Sequence, residues 1–470
     1  MPPHEMRDIV VLLPGITGSV LKKNGRVVWG FGGKAIAGTL LTRGRSLVDA
    51  LALTDDSPDR EDLGDGVVAD ALAPDLHLLP GLWKIDGYSR VADVIQSRFA
   101  VREGENFFPF PYDWRRDNRA AARKLARESA EWLRRRRQVH PDAKLILVAH
   151  SMGGLVSRYY LEVLGGWRDT RALITFGTPY RGSLNALDSL ANGSRKGPFG
   201  LIDLSELIRS LTAVYQLLPI YQCYDAGDGK LVRVGETSGI PQVDASKAKA
   251  ALAFHREIEA ANQTNRNDPE YQGGHYAIFP VVGIGQETGQ SGRRNGGAVD
   301  ILRDLGGEDL LGDGTVPRVS ATPIEFPRDG GGMFAATKHA SLQNADAVGI
   351  QLEGVLSSLR LDLGGFREAV PTPASKVALA VEDLYWLGEP IQVRARCERE
   401  DAKLTATLTA DTGLPVATQA MTDAGDGWRV ANFAPPEAGA YSVEVAGSGV
   451  EPAADAFAVA DTNETRAGSQ

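Results

Sequence analysis

Residues 145–154 read LILVAHSMGG, an apolar run that leads into a turn of small residues around Ser151. A short continuous apolar run is typical of a strand buried on both faces, as in a parallel sheet. A helical pattern begins at Gly153, so Ser151 is predicted to stand at a sharp strand-to-helix turn. A nucleophilic serine at such a turn needs small residues two positions away on each side, which Ala149 and Gly153 provide. We predict that Ser151 is a nucleophile; the alternative is a serine in a glycine-rich turn without chemistry.

Strand and helix patterns alternate along the first part of the chain. The strand patterns cover residues 9–13, 107–111, 145–149 and 172–176, and the helical patterns cover residues 118–138 and 153–164. Strands that alternate with helices indicate a mainly parallel sheet with helices on both faces. Together with the serine turn, this pattern predicts an α/β fold of the α/β-hydrolase type.

The alternation lapses over residues 181–274, where apolar residues recur at helical spacing. We predict an inserted helical cap over this segment; the alternative is a helix pair that packs on the sheet without a role at the site. The sheet resumes at residues 275–284, a further strand pattern lies at 334–336, and a last helix is predicted at 346–360. We therefore assign residues 1–365 to the α/β-hydrolase domain.

A different pattern follows the proline-containing segment 371–375. Apolar and polar residues alternate with a period of two in residues 391–396 and 404–408, as in strands with one buried face. Short strands separated by turn residues predict a small all-β sandwich of immunoglobulin-like kind over residues 376–462. Tyr441, just after one of those turns, is a candidate for a corner hydrogen bond. The sequence indicates neither a function nor a partner for this sandwich.

The order of residues along the chain selects the acid and the base. In this fold the nucleophile is followed by an acid and then by a histidine. Asp313 lies in a glycine-flanked turn after the resumed sheet, and His339 is the only one of the seven histidines beyond it. Asp313 would orient the imidazole of His339 and stabilise its charged form during the reaction. His150 is disfavoured as the base because neighbouring side chains at a tight turn point apart, and Asp300 and Asp309 are the alternative acids.

A developing oxyanion needs hydrogen-bond donors. One is normally the backbone amide after the nucleophile, here Met152, and the other comes from the loop after an early strand. The sequence PGITGS at residues 14–19 supplies that loop, and Ile16 is the predicted donor. A phosphate-binding loop is the competing interpretation, but the GxxxxGK pattern is absent. Zinc and calcium spacings are absent as well, so we predict no cofactor and no metal.

The composition disfavours several classes of protein. The 470 residues include 51 basic and 60 acidic side chains, a formal charge of −9, whereas proteins that bind nucleic acid are usually basic. Nucleic acid is therefore not a predicted partner. The N-terminus lacks a signal-peptide pattern and no run approaches the ~20 apolar residues of a membrane span, which favours a cytoplasmic location. The two cysteines, Cys223 and Cys397, indicate no disulfide framework.

The motifs around these residues resemble those of the lecithin:cholesterol acyltransferase-like family, which includes phospholipid:diacylglycerol acyltransferases and lysosomal phospholipase A2. The motifs span roughly residues 9–360 and are Leu13–Ser19, Pro111–Arg115, Ala149–Gly154, Phe176–Ser183, Tyr215–Pro219, Gly312–Pro317 and His339. The resemblance implies an enzyme in which Ser151 takes an acyl group from a glycerolipid ester and passes it to water or to an alcohol. It also implies that Ile16 and Met152 form the oxyanion hole.

The resemblance places Tyr112 and Trp114 near the site as substrate-binding residues, with a core anchor as the alternative for Trp114. A lipid or other ester substrate, and transient contact with a membrane surface, are the partners that it implies. The disulfide of the lid region in the animal enzymes has no counterpart, because neither cysteine precedes Ser151. The competing interpretations are a soluble carboxylesterase for small esters and a non-catalytic scaffold whose β-sandwich binds a partner.

Overall fold

The computed structural model describes residues 3–30, 48–74, 77–79, 83–196, 202–274, 276–326, 332–359 and 375–460, apart from residues 398, 400, 412 and 435 in the last range. Residues 371–374 of the predicted linker and the predicted strand residue His275 lie outside the described residues. The domain bounds 1–365 and 376–462 stay predictions.

The strands are numbered in chain order. They are β1 His4–Glu5, β2 Ile9–Leu13, β3 Ser19–Lys23, β4 Arg26–Trp29, β5 Val67–Leu72, β6 His77–Leu79, β7 Trp83–Ile85, β8 Phe99–Ala100, β9 Phe107–Pro109, β10 Leu145–His150, β11 Thr170–Phe176, β12 Arg195–Lys196, β13 Ile202–Asp203, β14 Tyr224–Asp225, β15 Leu231–Val232, β16 Ala277–Gly283, β17 Ser291–Asn295, β18 Ala298–Leu302, β19 Met333–Ala335, β20 Val377–Ala380, β21 Leu384–Trp386, β22 Ile391–Cys397, β23 Leu404–Ala410, β24 Pro415–Ala420, β25 Thr422–Gly425, β26 Trp428–Phe433, β27 Gly439–Gly447 and β28 Val450–Ala460.

The helices are numbered in the same way. They are α1 Ser89–Arg98, α2 Asn118–Arg136, α3 Met152–Arg158, α4 Leu184–Asn192, α5 Ser205–Ser210, α6 Thr212–Tyr215, α7 Ala245–Asn265, α8 Pro269–Gly274 and α9 Asp346–Ser358. A π-helical turn, Tyr159–Val163, continues α3. Short 3₁₀ segments lie at Gly166–Asp169, Val234–Glu236, Arg318–Ser320 and His339–Asn344.

A parallel sheet of six strands carries the turn around the predicted nucleophile. Its strand order is β19-β16-β11-β10-β2-β9, and each neighbouring pair is parallel. Strand β10 lies inside the sheet, where Val148 is opposite Leu12 of β2 and Ile174 of β11. All six residues of β10 are buried, as expected for a strand covered on both faces.

Alternate residues of this sheet face two separate hydrophobic cores. Val10, Ile146 and Val148 pack on one face with apolar side chains of α1 and α9. Leu147 and Ala149 pack on the other face with apolar side chains of α2, α3 and α7. Helices thus cover both faces, and the serine turn lies at the carboxyl end of a central strand. This part of the chain has the predicted α/β-hydrolase fold.

Helices α4 to α8 lie between β11 and β16, in the segment predicted as a cap. The longest, α7, begins after Asp244, whose carboxylate accepts hydrogen bonds from the backbone N–H groups of Ser246 and Lys247. Apolar side chains of α5, α6 and α7 join the hydrophobic core on one face of the sheet. The predicted helices are therefore present, although the segment also contains the short strands β12 to β15, and a cap over the site stays a prediction.

The C-terminal strands form two sheets. Their orders are β20-β22-β26-β25 and β21-β28-β27-β23-β24, and the pairs are antiparallel except for β21 with β28. Alternate residues, Ile391 and Leu404 among them, face a shared core. The Tyr441 hydroxyl donates to the Glu437 carbonyl (2.8 Å), as in a tyrosine corner. The predicted all-β sandwich of immunoglobulin-like kind is confirmed.

Two more features bear on the predictions from composition. Among the described residues, no helix combines the length and the apolar character needed to cross a bilayer. Cys223 is buried, Cys397 is partly exposed, and both are free thiols, so neither forms a disulfide.

Candidate active site

The turn around Ser151 has the strained geometry that its sequence predicts. Ser151 joins β10 to α3 with φ 51° and ψ −122°, a positive φ that residues with a side chain rarely adopt. Its backbone N–H donates to the Phe176 carbonyl (2.8 Å), and its carbonyl accepts from the Thr178 hydroxyl (3.0 Å). Strand β11 and the residues after it therefore fix the backbone of this serine.

Close packing explains the need for small residues beside the serine. A Cβ on Gly153 would lie 2.6 Å from the Pro14 carbonyl oxygen, and one on Gly154 would lie 2.0 Å from the Thr178 hydroxyl. Both distances are far shorter than the 3.5–4.0 Å or so of a normal contact. Gly153 thus lets the start of α3 approach the loop at residues 14–19, and Gly154 lets it approach Thr178 after β11.

Three side chains meet at the carboxyl end of the sheet. His339 Nε2 lies 2.9 Å from the Ser151 hydroxyl, and His339 Nδ1 lies 2.7 Å from Asp313 Oδ2. Both are hydrogen-bond distances. With Nδ1 protonated, the imidazole donates to Asp313 and accepts from Ser151, which is the arrangement of a serine-histidine-aspartate triad. The structure brings these residues together as expected from their order, and their catalytic roles stay predictions.

The Asp313 carboxylate is oriented through its second oxygen. Oδ1 accepts hydrogen bonds from the backbone N–H groups of Thr315 (2.9 Å) and Val316 (2.6 Å). The Asp313 carbonyl accepts from the His339 backbone N–H (2.9 Å). These bonds direct Oδ2 at the imidazole and join the acid turn to the histidine by main chain as well as side chain.

Two glycines provide the space for the acid and the histidine. Gly177 has φ +57°, and a Cβ on it would lie 2.8 Å from Asp313 Oδ2 and 2.9 Å from His339 Nδ1. A Cβ on Gly283 would lie 2.2 Å from the Asp313 Cβ. A larger residue at either position would displace the pair, so both glycines belong to the site.

The site is almost fully enclosed. Ser151 and Asp313 are each 1% exposed, and His339 is 3% exposed. Charges and dipoles interact more strongly away from bulk water. Hydrogen-bond donors directed at an oxyanion here would therefore stabilise it more than they would in an open cleft.

His150 is turned away from the nucleophile and connects two loops. The Tyr88 hydroxyl accepts from the Gly15 N–H (2.7 Å) and donates to His150 Nδ1 (2.9 Å). His150 Nε2 then donates to the His339 carbonyl (3.1 Å). Burial, and next the neighbouring His339, lower the pKa of His150 well below its usual range, so the ring is neutral. This geometry is unsuited to a base for the serine. Tyr88 was not foreseen, because no motif marks it.

The predicted oxyanion donors lie on two adjoining elements. Met152 is the first residue of α3, and the leading N–H groups of a helix have no acceptor within the helix. Ile16 is 1% exposed and belongs to the loop at residues 14–19. Because Gly153 packs against the Pro14 carbonyl, this loop lies beside the start of α3. The placement is compatible with an oxyanion hole, which stays a prediction.

Tyr112 and Trp114 bond to the backbone of the loop at residues 14–19. The Tyr112 hydroxyl donates to the Pro14 carbonyl (2.7 Å), and Trp114 Nε1 donates to the Ser19 carbonyl (3.1 Å). Tyr112 is 2% exposed and Trp114 is 0% exposed. These contacts favour the core-anchor alternative for Trp114, and direct contact of either ring with a substrate stays a prediction.

The alternative acids have other partners. Asp300 accepts hydrogen bonds from Asn295 Nδ2 (3.1 and 3.2 Å), and Asp309 accepts from Gln290 Nε2 (2.6 Å). Asp313 contacts the imidazole instead, so the geometry favours it as the acid. In the described part of the chain, no three His, Cys, Asp or Glu side chains are grouped as metal ligands.

Part of the chain is similar in sequence to known lipid enzymes. Residues 82–269 match the family model described as lecithin:cholesterol acyltransferase. The lysosomal phospholipase A and acyltransferase of Homo sapiens is 34% identical over 122 residues, which are 25% of this chain and 29% of that protein. The match therefore spans less than a third of this relative. Over the matched residues, the predicted resemblance to the lecithin:cholesterol acyltransferase-like family is confirmed.

Two solved structures illustrate the structural comparison. The mature lipase BlEst2 of Bacillus licheniformis aligns over 76% of this chain and 93% of its own, at 14% identity and a TM-score of 0.31. CopC from Methylosinus trichosporium OB3b aligns over 18% of this chain and 87% of its own, at 14% identity and a TM-score of 0.15. Both scores are low, so the fold assignment rests on the sheet topology described above.

Proposed function

We propose that the protein is a serine-dependent lipid ester hydrolase or O-acyltransferase that works through an acyl-enzyme on Ser151. The proposal rests above all on the 2.9 Å contact between the Ser151 hydroxyl and His339 Nε2, with Asp313 2.7 Å from the other ring nitrogen. A serine hydroxyl is a weak nucleophile by itself, and an adjacent oriented base is what activates it.

The first half-reaction transfers the acyl group to the enzyme. The Ser151 oxygen attacks the ester carbonyl while His339 Nε2 takes the hydroxyl proton, and Asp313 stabilises the imidazolium. The N–H groups of Ile16 and Met152 donate to the carbonyl oxygen as it becomes negative. The bond from the carbonyl carbon to the alcohol oxygen then breaks, and the alcohol leaves with the proton from His339.

The second half-reaction releases the acyl group. His339 takes a proton from an incoming water or alcohol, whose oxygen attacks the acyl carbonyl, and then returns that proton to the Ser151 oxygen as the ester to the enzyme breaks. The choice between water and an alcohol depends on how far the substrate-bound site excludes water, because exclusion of water slows hydrolysis.

Lipid esters are the substrate class that the similarities support. The family model matches residues 82–269, which contain Ser151, and the human relative is named as a phospholipase and acyltransferase. A lipid substrate would also require transient contact with a lipid surface. A carboxylesterase for small esters would use the same triad, so substrate tests must separate the two.

The test begins with the nucleophile. The purified protein is incubated with a fluorophosphonate probe, and the Ser151→Ala variant is treated in parallel. The matched control is Ser157→Ala, a buried serine of the same helix α3 whose hydroxyl donates to the Gly153 carbonyl (2.8 Å). We expect labelling of the parent and of Ser157→Ala and none of Ser151→Ala. Labelling that survives Ser151→Ala would contradict the proposal.

A second step defines the reaction. Hydrolysis of p-nitrophenyl esters of increasing chain length, and of phospholipid vesicles, is measured with and without a long-chain alcohol. Preference for long chains and vesicles supports a lipid enzyme, and transfer to the alcohol in preference to water identifies an acyltransferase. Activity limited to short soluble esters would replace the lipid proposal with the carboxylesterase, and absence of both labelling and turnover would leave the scaffold.

A further inference from the structure

The loop that carries His339 is enclosed between the two parts of the molecule. This histidine loop, residues 336–339, follows β19 of the parallel sheet and contacts β28 of the β-sandwich. The Lys338 backbone N–H donates to the Ala454 carbonyl (3.4 Å), and the Ala336 backbone N–H donates to the Glu451 carboxylate (3.0 Å). Two of the four residues of the histidine loop are therefore bonded to the sandwich through their main chain.

An ion pair strengthens this contact next to the histidine. Lys338 Nζ lies 2.7 Å from Asp455 Oδ2; the Asp455 side chain is 0% exposed and that of Lys338 is 20% exposed. A buried carboxylate needs a paired cation or hydrogen bonds. The second oxygen of Asp455 accepts from the Ala456 backbone N–H (2.9 Å). The ammonium group one residue before His339 is thus bound to a carboxylate inside the sandwich.

Gln286 connects the sandwich to the acid turn as well. Its side-chain Nε2 donates to the carbonyls of Ala336 (2.8 Å) and Val377 (3.0 Å), and its Oε1 accepts from the Leu379 N–H (3.0 Å). Its main chain exchanges hydrogen bonds with Gly312, the residue before Asp313 (3.0 and 3.1 Å). Gln286 is 1% exposed. A single buried residue therefore bonds the histidine loop and strand β20 of the sandwich through its side chain, and the acid turn through its main chain.

We propose that the β-sandwich positions the general base, with Asp455, Lys338 and Gln286 as positioning residues for His339. The inference rests on the proposed function, because it assumes that His339 is the base. A catalytic imidazole must be held within about 0.5 Å of its working position, and an error of about 1 Å costs on the order of 10²-fold in rate. The contacts described above are the ones that would hold it.

The variants should behave differently if the interface is merely structural than if it positions His339. If the contacts only stabilise the fold, activity follows stability in every variant. If they position His339, the rate of the chemical step falls even when stability is intact. Replacing both members of a buried ion pair removes the unpaired charge that makes a single replacement destabilising, so a double variant can separate the two effects.

The experiment uses the full chain and compares Lys338→Met, Asp455→Asn and the double variant. The control is Asp401→Asn, which breaks the exposed ion pair of Arg399 with Asp401 (3.0 Å) in the same sandwich. Thermal unfolding and the kcat and KM for a long-chain p-nitrophenyl ester are measured for each. We expect Lys338→Met to lower both Tm and kcat, and the double variant to recover Tm while kcat stays roughly 10- to 100-fold below the parent with KM little changed.

Gln286→Met is an independent variant that removes the side-chain hydrogen bonds and keeps the length of the side chain. We expect the same fall in kcat with KM little changed. A double variant whose kcat returns with its Tm, or folded variants with parental kcat throughout, would overturn the proposal. These results would leave the proposed function standing, because labelling of Ser151 in the parent tests that separately.

Discussion

The nucleophile and the base are held in different ways, although their side chains are only 2.9 Å apart. Ser151 is fixed by its own sheet: a positive φ, a bond to Phe176 of the next strand, and glycines that allow close packing. The loop of His339 is bonded to Glu451 and Asp455 of the other domain.

The nucleophile half of the site is Ser151 with its turn, and the base half is His339 with its loop. The difference teaches that these two halves depend on different parts of the chain. The Ser151 turn is held by its own backbone and by contacts with neighbouring parts of the same sheet domain, so it should survive wherever the sheet forms. A loop held from outside depends on polar contacts that form only when both domains are in place. We therefore expect the nucleophile half to tolerate changes in the sandwich and the base half to be sensitive to them.

The largest effect should come from removing the base itself. In His339→Ala, we expect kcat to fall by roughly 10⁴- to 10⁶-fold, as when other triads lose a member, while the protein stays folded. Steady-state hydrolysis of a p-nitrophenyl ester and circular dichroism would measure the two quantities. A folded variant with more than about a tenth of the parental kcat would show that His339 is not the base.

A smaller effect should follow when the acid and the histidine are displaced but kept. In Gly177→Ala the new methyl group meets Asp313 Oδ2 and His339 Nδ1 at 2.8 and 2.9 Å, and the residue keeps a φ of +57° only with strain. We expect kcat to fall on the order of 10²-fold. Gly239→Ala is the matched control, because Gly239 also has a positive φ, +78°, and open space around its Cβ position. Equal losses in both variants would attribute the effect to backbone strain alone.

Loss of the connection between the two halves should cost less again. Tyr88→Phe removes the hydroxyl that bonds the Gly15 N–H and His150, whose ring donates to the His339 carbonyl. We expect the free energy of unfolding to fall by about 1–3 kcal/mol and kcat by about tenfold or less. Denaturant unfolding and ester hydrolysis provide the measurements. An unchanged stability would mean that the Tyr88 hydroxyl does not bond these groups in solution.

The smallest catalytic effect is expected at a buried histidine outside both halves. His255 is 3% exposed and donates from Nε2 to the Gln216 carbonyl (2.8 Å), and burial lowers its pKa from 6.5 to about 4. Between those pH values the unfolded chain binds a proton that the folded chain does not. The free energy of unfolding should therefore fall as pH falls through this window, by up to about 3 kcal/mol.

His255→Gln tests this contribution without touching the triad. The variant should lose that part of the pH dependence and keep kcat at neutral pH within about twofold of the parent. Unfolding curves of both proteins across the window give the difference. Parallel pH profiles for the two proteins would show that His255 is not the group that titrates.

Local patterns were enough to predict the central strands and to select the three side chains that meet at the end of the sheet. The run Ile9–Leu13 forms β2 with the predicted bounds, and β10 extends the prediction by one residue, His150. Ser151 and Asp313 each lie within hydrogen-bond distance of the His339 ring, as chain order indicated. These features depend on short runs or on a fixed order, and both can be read from a sequence.

Contacts between distant polar residues could not be predicted. Gln286 bonds residues 50 and 91 positions away, and no periodic pattern marks such a contact. The helix predicted over residues 153–164 is α-helical only to Arg158, after which a π-turn begins. In that turn Glu162 contacts Arg158 (3.1 Å) and accepts from Asn262 of α7 (2.9 Å), a buried network that only the folded chain assembles.

The Gln286 side-chain amide donates one hydrogen bond to Ala336 beside the parallel sheet and one to Val377 in the sandwich. These two bonds constrain any attempt to exchange the sandwich for another module. A chimera could be made by cutting the chain before β20 and grafting another module. The Gln286 side chain would then keep its bond to the Ala336 carbonyl but lose its partners Val377 and Leu379. A successful graft must bring a carbonyl and an N–H to the places of Val377 and Leu379, and a carboxylate to the place of Asp455. With the acceptors at Glu451 and Ala454, these hydrogen-bonding positions define the interface to be matched, rather than the site of the splice.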